Sequence, residues 1–317
     1  MGFLLPLSVP KLKCLSRQHS DAIEQAVQLA IEHKSHLVIS IESEEIKAHK
    51  DCMDAIWNTV QAFLGTIYVI QLQVAYVKQH PLFDCHVVFQ DICGYSVDSE
   101  PDIDTVCILD TGKMVNGHGY LAPLQSKGHR IIQLTSTQDA QALYGLRMHE
   151  NTDPIEPLVF QRVAVGGTFD HLHAGHKILL TMTALLTQSS MVVGVTDDCM
   201  LTKKKHKEWI ASTSERLLAV KKYMQSVRRD IQYDIVPITD PFGPTVTDPT
   251  IDALVVSKET LKGGDLVNNE RDMRGYPPLE LRMIDVISSN NASVEGQEMD
   301  VLKISSSWIR EYIANHQ

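Results

Sequence analysis

Val163 to Ile178, reading Val-Ala-Val-Gly-Gly-Thr-Phe-Asp-His-Leu-His-Ala-Gly-His-Lys-Ile, constrains the fold of this chain more than any other stretch. Val163–Val165 has strand character, the pair Gly166-Gly167 breaks it, and an apolar helix follows from Ala174 with Ile178, Leu179, Met182 and Leu185 on one face. A strand, a glycine turn and a helix in that order direct backbone N–H groups and the positive helix end at one point, where a phosphate can sit. His173 and His176 fall at that mouth, and Gly175 between them has no Cβ to keep a ligand off the backbone. A metal site built on His171, His173 and His176 is the competing reading. It lacks a further ligand at matching spacing, since no Cys lies nearby.

The rest of the second half repeats the strand–helix alternation. Phe160–Val165, Met191–Thr196, Ile231–Ile238, Ala253–Ser257 and Leu281–Ile287 read as strands. Ser212 with Glu215 reads as a capping box, opening a helix with a Leu217, Val220, Met224 and Val227 stripe. Residues 268–274 read as a polar helix. The run Ser305-Ser306-Ser307 opens a last helix, with Trp308, Ile309, Tyr312 and Ile313 on its apolar face. One serine suffices as an N-cap, and three hydroxyls at a helix N-terminus make a second phosphate cradle. Between strand and helix, Lys203-Lys204-Lys205 reads as a solvated basic loop.

The first half reads as a smaller α/β domain. Residues 20–32 form an amphipathic helix capped by Ser20, residues 50–64 a second helix, and Thr66–Leu72 a β-branched strand candidate. His36–Ile41, Cys85–Phe89, Thr105–Leu109 and Ile131–Leu134 are further strands, and the alternation predicts a parallel, doubly wound sheet. This half has no G-x-G-x-x-G, and Asp110-Thr111-Gly112-Lys113 lacks the glycine-rich loop that a phosphate site needs. Its expected role is structural or partner-binding. The expected division is residues 1–150, a linker at 151–157 rich in turn formers, and residues 158–317.

A net charge of −10 argues against a general nucleic-acid or acidic-membrane binder. No apolar run is expected to reach a membrane span. Early Pro6 and the missing basic segment speak against a signal peptide, and the residue at position 6 against myristoylation. The six scattered cysteines, without C-x-x-C, read as thiols of a reducing compartment, with Cys85, Cys93 and Cys107 in the core.

Gly-Thr-Phe-Asp followed by His-x-Gly-His resembles the nucleotidyltransferase superfamily. Three further stretches are similar to eukaryotic phosphopantetheine adenylyltransferases: Val256-Ser257-Lys258-Glu259-Thr260 with Gly263-Gly264, Asp240-Pro241-Phe242-Gly243-Pro244 with Asp248-Pro249, and Ile304-Ser305-Ser306-Ser307 with Arg310. The resemblance covers about residues 158–317, as four motifs in order. It implies a Rossmann-like nucleotidyltransferase domain that transfers adenylyl from ATP, with Mg²⁺, to 4′-phosphopantetheine, giving dephospho-coenzyme A and pyrophosphate. Thr168 would orient the reacting phosphates, and His176 with Lys203 or Lys204 would stabilise the α-phosphate. Register among the three lysines stays open. Gly167, Phe169, His173, Gly175, Ser257, the serine cluster and Arg310 would complete the ATP site, with no metal-ligating side chain. The acceptor would touch Thr168 and the lysines.

Bacterial relatives carry an arginine after the fourth strand and an acidic residue some helical turns later. Ser257 or Lys258, and Asn268 or Asn269, stand there instead. A cytoplasmic enzyme is implied, with other coenzyme A enzymes and a second copy of the chain as further partners. With no G-x-x-x-x-G-K-[S/T] in the sequence, the reaction is expected to stop at dephospho-coenzyme A. The alternatives are adenylyl or cytidylyl transfer to another acceptor such as nicotinamide mononucleotide, and a non-catalytic regulatory or scaffold protein. The cytidylyltransferase signature Arg-Thr-x-Gly-Ile-Ser is missing, and the complete His-x-Gly-His and serine cluster speak against a dead site.

Overall fold

The computed structural model describes residues 2–109, 128–135, 156–285 and 305–316. Asp110–Lys113, Ile304 and, apart from Glu156 and Pro157, the expected linker at 151–157 lie outside the described residues. Contacts divide the chain into two units, Met1–His49 with Ala62–Glu150, and Lys50–Gln61 with Asn151–Gln317.

The first unit winds β1 (Gly2–Ser8), α1 (Arg17–Glu32), β2 (His36–Glu42), α2 (Glu44–Ala48), α3 (Trp57–Val77, within this unit from Ala62), β3 (Cys85–Phe89), β4 (Thr105–Leu109) and β5 (Arg130–Leu134). The sheet is parallel, in the order β3-β2-β1-β4-β5. Leu4, Val38, Val88, Cys93 and Val106 pack one of its faces, and burial of apolar surface there is what holds the unit. Cys85, Cys93 and Cys107 are buried, as expected.

Several expectations are corrected here. The central strand β1 was not anticipated. Its Pro6 is tolerated because pairing with β4 ends at Leu4, so the missing N–H removes no ladder bond on that side. The N-cap of α1 is Ser16, one turn before Ser20. Thr66–Leu72 is no strand but the middle of α3. Val60, Phe63, Leu64, Ile67, Tyr68, Gln71, Leu72 and Ala75 are buried at helical spacing straight through it, and this periodicity overrides β-propensity. An apolar segment of span length does exist. Met53–Val77 is 25 residues long with a stretch of mean hydropathy 1.4, half of it buried in the fold.

The second unit winds β6 (Phe160–Gly167), α4 (Ala174–Leu186), β7 (Thr187–Thr196), α5 (Thr213–Val227), β8 (Gln232–Ile238), β9 (Ala253–Ser257), α6 (Leu261–Met273), β10 (Glu280–Ile284) and α7 (Ser306–Asn315). Its parallel sheet runs β10-β9-β6-β7-β8, the same winding as the first. Ala164, Val192, Leu254 and Val256 pack with Val246, Ile251, Val267 and Leu279 on one face. Gly166 and Gly167 are not a turn. They pair with Gly194 and Val195 as the end of β6, and the chain leaves the sheet at Thr168. In such sheets ligands bind beyond the carboxyl ends of the strands, where winding reverses, which here is between β6 and β9.

Residues Lys50–Gln61 form a strap along the edge strand β10. Asp54 accepts Arg282 Nε at 2.7 Å and Nη2 at 2.9 Å, and also the N–H of Leu158 at 2.9 Å. Trp57 Nε1 donates to Met283 O at 3.3 Å, and Gln61 Oε1 accepts the N–H of Asp285 at 3.3 Å. Cover of this kind satisfies a sheet edge that would otherwise pair elsewhere.

Candidate active site

The site is built on the loop from Thr168 to Leu172 and the first turn of α4. Phe169 and His171 adopt left-handed backbone at φ 49° and 47°, unusual for bulky residues. The surroundings fix that conformation. Asp170 is fully buried, its Oδ2 accepts Arg310 Nη1 at 2.7 Å, and its carbonyl accepts Ser306 Oγ at 3.1 Å. Its other carboxylate oxygen stands 3.4 Å from His171 Nε2 without a hydrogen bond. His171 Nε2 donates instead to Trp209 O at 3.0 Å, tying this loop to the one that carries the lysines.

His173 is the N-cap of α4 and gives the helix no side-chain cap. The equivalent first turn of α1 is closed by Ser16 and His19, which bond reciprocally. The two units therefore share a winding but differ at this helix start, and only α4 keeps its end open to an anion. His173 and His176 stack, ring centroids 4.0 Å apart, and the Phe169 ring stands edge-on to His176 at 5.4 Å. Gly167 leaves room for that ring, since a Cβ there would come within 3.1 Å of it.

Burial holds both imidazoles neutral. His176 is pushed down to about 4, chiefly by burial against a backbone hydrogen bond with His171 that opposes it, with the charge of Lys204 adding to the fall. His173 lies well below its ordinary range, first through burial and then through His176, Lys177 and His171. Nδ1 of each ring is buried, with no hydrogen-bond partner among the described residues.

The remaining expected residues divide. Ser306 reaches the cluster, its Oγ 3.4 Å from His173 Nε2. Ser305 caps α7 through the N–H of Trp308, and Ser307 accepts Arg310 Nη2 at 3.1 Å. Arg310, expected among the phosphate contacts, is 1 % exposed and its guanidinium is held by Asp170, Ser307 and the carbonyl of Lys205. Lys203, Lys204 and Lys205 are exposed, and Lys204 is the one whose charge is felt at His176. Lys205 faces Glu311 at 3.7 Å. Thr168 and Gly175 are half-buried at the mouth. Ser257, the last residue of β9, bonds Thr260 Oγ1 at 3.0 Å and makes no bond to the histidine cluster. The side chain of Asn268 brackets the backbone of Leu279, while Asn269 is exposed.

Two residues were missed by sequence reasoning. Asp170 sits inside the quoted motif, yet only the fold brings Arg310 to it. Arg216 is buried on α5, and its spacing to Val220 and Tyr223 on the buried face was the available signal.

The cytidylyltransferase-like family matches residues 164–312. A phosphopantetheine adenylyltransferase of Methanopyrus kandleri is 37% identical over 151 residues, 48% of this chain and 89% of that protein. One from Saccharomyces cerevisiae is 36% identical over 174 residues, 54% of this chain and 55% of that protein. An uncharacterised Schizosaccharomyces pombe protein is 44% identical over 151 residues, 48% of each chain. The chain thus matches about half the length of these two yeast relatives. Fold and site define a nucleotidyltransferase unit. The chain belongs to the cytidylyltransferase-like family and, within it, to the phosphopantetheine adenylyltransferase type.

Proposed function

We propose that the second unit transfers adenylyl from ATP to 4′-phosphopantetheine, giving dephospho-coenzyme A and pyrophosphate. The observation that carries this reading is the stacked, neutral pair His173 and His176, with Ser306 beside His173, at the uncapped start of α4. The names of the archaeal and yeast relatives supply the substrates.

In this mechanism an oxygen of the acceptor phosphate bonds to the α-phosphorus as the bond to the β-phosphate oxygen breaks, and pyrophosphate leaves. The phosphate is already ionised at neutral pH, so no base has to take a proton. Catalysis is then positioning and stabilisation of developing charge. Neutral imidazole suits this, because its N–H donates to a phosphate oxygen without titrating in the working range. His176 and Lys204 act at the α-phosphate, and Thr168 aligns the two phosphates. His173 and Ser306, with the N–H groups of α4 and α7, hold the leaving pyrophosphate.

Among the described residues no group of three or more His, Cys, Asp or Glu side chains is arranged to hold a metal. Mg²⁺ fits here as an ion held by triphosphate oxygens and water, as this reluctantly dehydrated cation prefers. Bound in that way, it neutralises triphosphate charge.

The wider reading puts the chemistry in residues 158–317 with the strap, and a structural or interaction role in the first unit. Its setting is the cytoplasm, which suits six free thiols. Further partners are other coenzyme A enzymes and a second copy of the chain. The test is steady-state pyrophosphate release by the full chain with ATP and phosphopantetheine, nicotinamide mononucleotide or phosphocholine. Release specific to phosphopantetheine is expected, and release only with another acceptor would replace this reading.

A further inference from the structure

We propose that Arg216 and Arg310 are positioning residues, a paired clamp that fixes the loop carrying Thr168 and the histidines against the loop carrying Lys204. The proposal rests on the reading of function above and gives these two arginines a role other than phosphate binding.

Each guanidinium bridges the same two loops. Arg216, from α5, donates through Nη1 to Thr168 O at 2.8 Å and Thr196 O at 2.6 Å. Its Nη2 reaches Asp198 Oδ1 at 2.6 Å and Thr213 Oγ1 at 3.1 Å, and Nε reaches Ala211 O at 2.8 Å. Every N–H of this side chain thus has an acceptor, in a residue 1 % exposed. Arg310, from α7, donates to Asp170 Oδ2 at 2.7 Å on one loop and to Lys205 O at 3.1 Å on the other. Thr168 and Asp170 are therefore pinned on the first loop, and Asp198 and Lys205 on the second. Two fixed points on each loop remove the hinge that one would leave. His171 Nε2 on Trp209 O adds a third tie between them.

The clamp also accounts for the strained backbone at Phe169 and His171, which persists only where surroundings over-determine it. Turning Arg310 toward a phosphate would strip the fully buried Asp170 of its charge partner, a costly arrangement. Lysine cannot replace either arginine, because a point ammonium lacks the fork that reaches several acceptors.

The test compares the full-length wild type with Arg216→Lys, Arg310→Lys, Asp170→Asn, the Arg310→Lys/Asp170→Asn double variant and the milder Asp198→Asn. Turnover, the KM for ATP, ATP affinity by calorimetry and amide hydrogen exchange of residues 168–173 and 198–209 are measured. Each single variant at 170, 216 and 310 is expected to lower kcat by about 10- to 100-fold, the scale of a misplaced reacting group, with ATP affinity within about 3-fold. The double variant should be no worse than its weaker parent, since the pair acts as one unit. Exchange should quicken in both loops in every variant, and least in Asp198→Asn. A tenfold loss of ATP affinity in Arg310→Lys but not Asp170→Asn would make Arg310 a phosphate contact and overturn the clamp. So would unchanged exchange in both loops. A wild type inactive toward phosphopantetheine would defeat the functional reading alone, because loop exchange still decides the clamp.

Discussion

At the scale of single residues, His176 combines a desolvated, neutral ring with a place in the first turn of α4, stacked on His173. Replacing His176 with Ala should lower kcat by roughly two to three orders of magnitude, the usual cost of losing one transition-state donor, with far less change in the KM for phosphopantetheine. Lys204→Ala should resemble it, whereas Lys203→Ala should leave most of the turnover, and steady-state kinetics of the three variants would check both. The same burial has a pH consequence. His176 titrates near 4 in the folded chain and near its ordinary 6.5 when unfolded, so the unfolded state binds more protons between those values. Stability is therefore lost as pH falls from about 6.5 toward 4, and His176→Gln should lessen that loss in thermal melts, with His173 supplying a remaining share. The histidines, serines and a lysine run were legible in the sequence because their spacing is the motif. Arg216 and Asp170 were not, because most of what they bind is backbone carbonyl or a partner far along the chain, which no spacing encodes.

At the scale of elements, the strands of the second unit were read correctly in order and place. Ala174–Leu186 and Ala253–Ser257 fall where their apolar pattern ends. The Ser212–Glu215 capping box forms as its spacing predicts. The failures have separate causes. The reciprocal partner of Ser16 is His19, which the usual acidic or amide capping pattern does not include. In α3, a short β-branched run masked a longer helical period. Among the motif loops, Gly243 is the position where only glycine fits. Its φ is 53°, and a Cβ would stand 2.5 Å from Ile238 Cγ2. Gly243→Ala should destabilise the second unit by about 1–3 kcal/mol in urea denaturation, through backbone strain and displacement of Ile238.

At the scale of the molecule, the second unit is not one continuous piece of chain. The strap at Lys50–Gln61 supplies Asp54, fully buried and paired with Arg282. Asp54→Ala should cost about 2–3 kcal/mol, less than a fully enclosed pair because Arg282 keeps some solvent access. A chain of residues 155–317 alone loses the same partner together with Trp57 and Gln61, so its melting temperature should fall further than that of Asp54→Ala. Equal melting of the truncated and full chains would show that the strap contributes nothing. The sequence offered no sign of this arrangement, since the strap precedes Arg282 by more than two hundred residues.

The central claim is that the cluster of His173, His176 and Lys204 moves an adenylyl group between ATP and phosphopantetheine. Its most direct test is exchange of labelled pyrophosphate into ATP by the purified full chain supplied with dephospho-coenzyme A and Mg²⁺. The account predicts label in ATP that depends on dephospho-coenzyme A and falls at least about a hundredfold in His176→Ala. Exchange that persists undiminished in His176→Ala, or a wild type that binds ATP yet exchanges nothing, would contradict it.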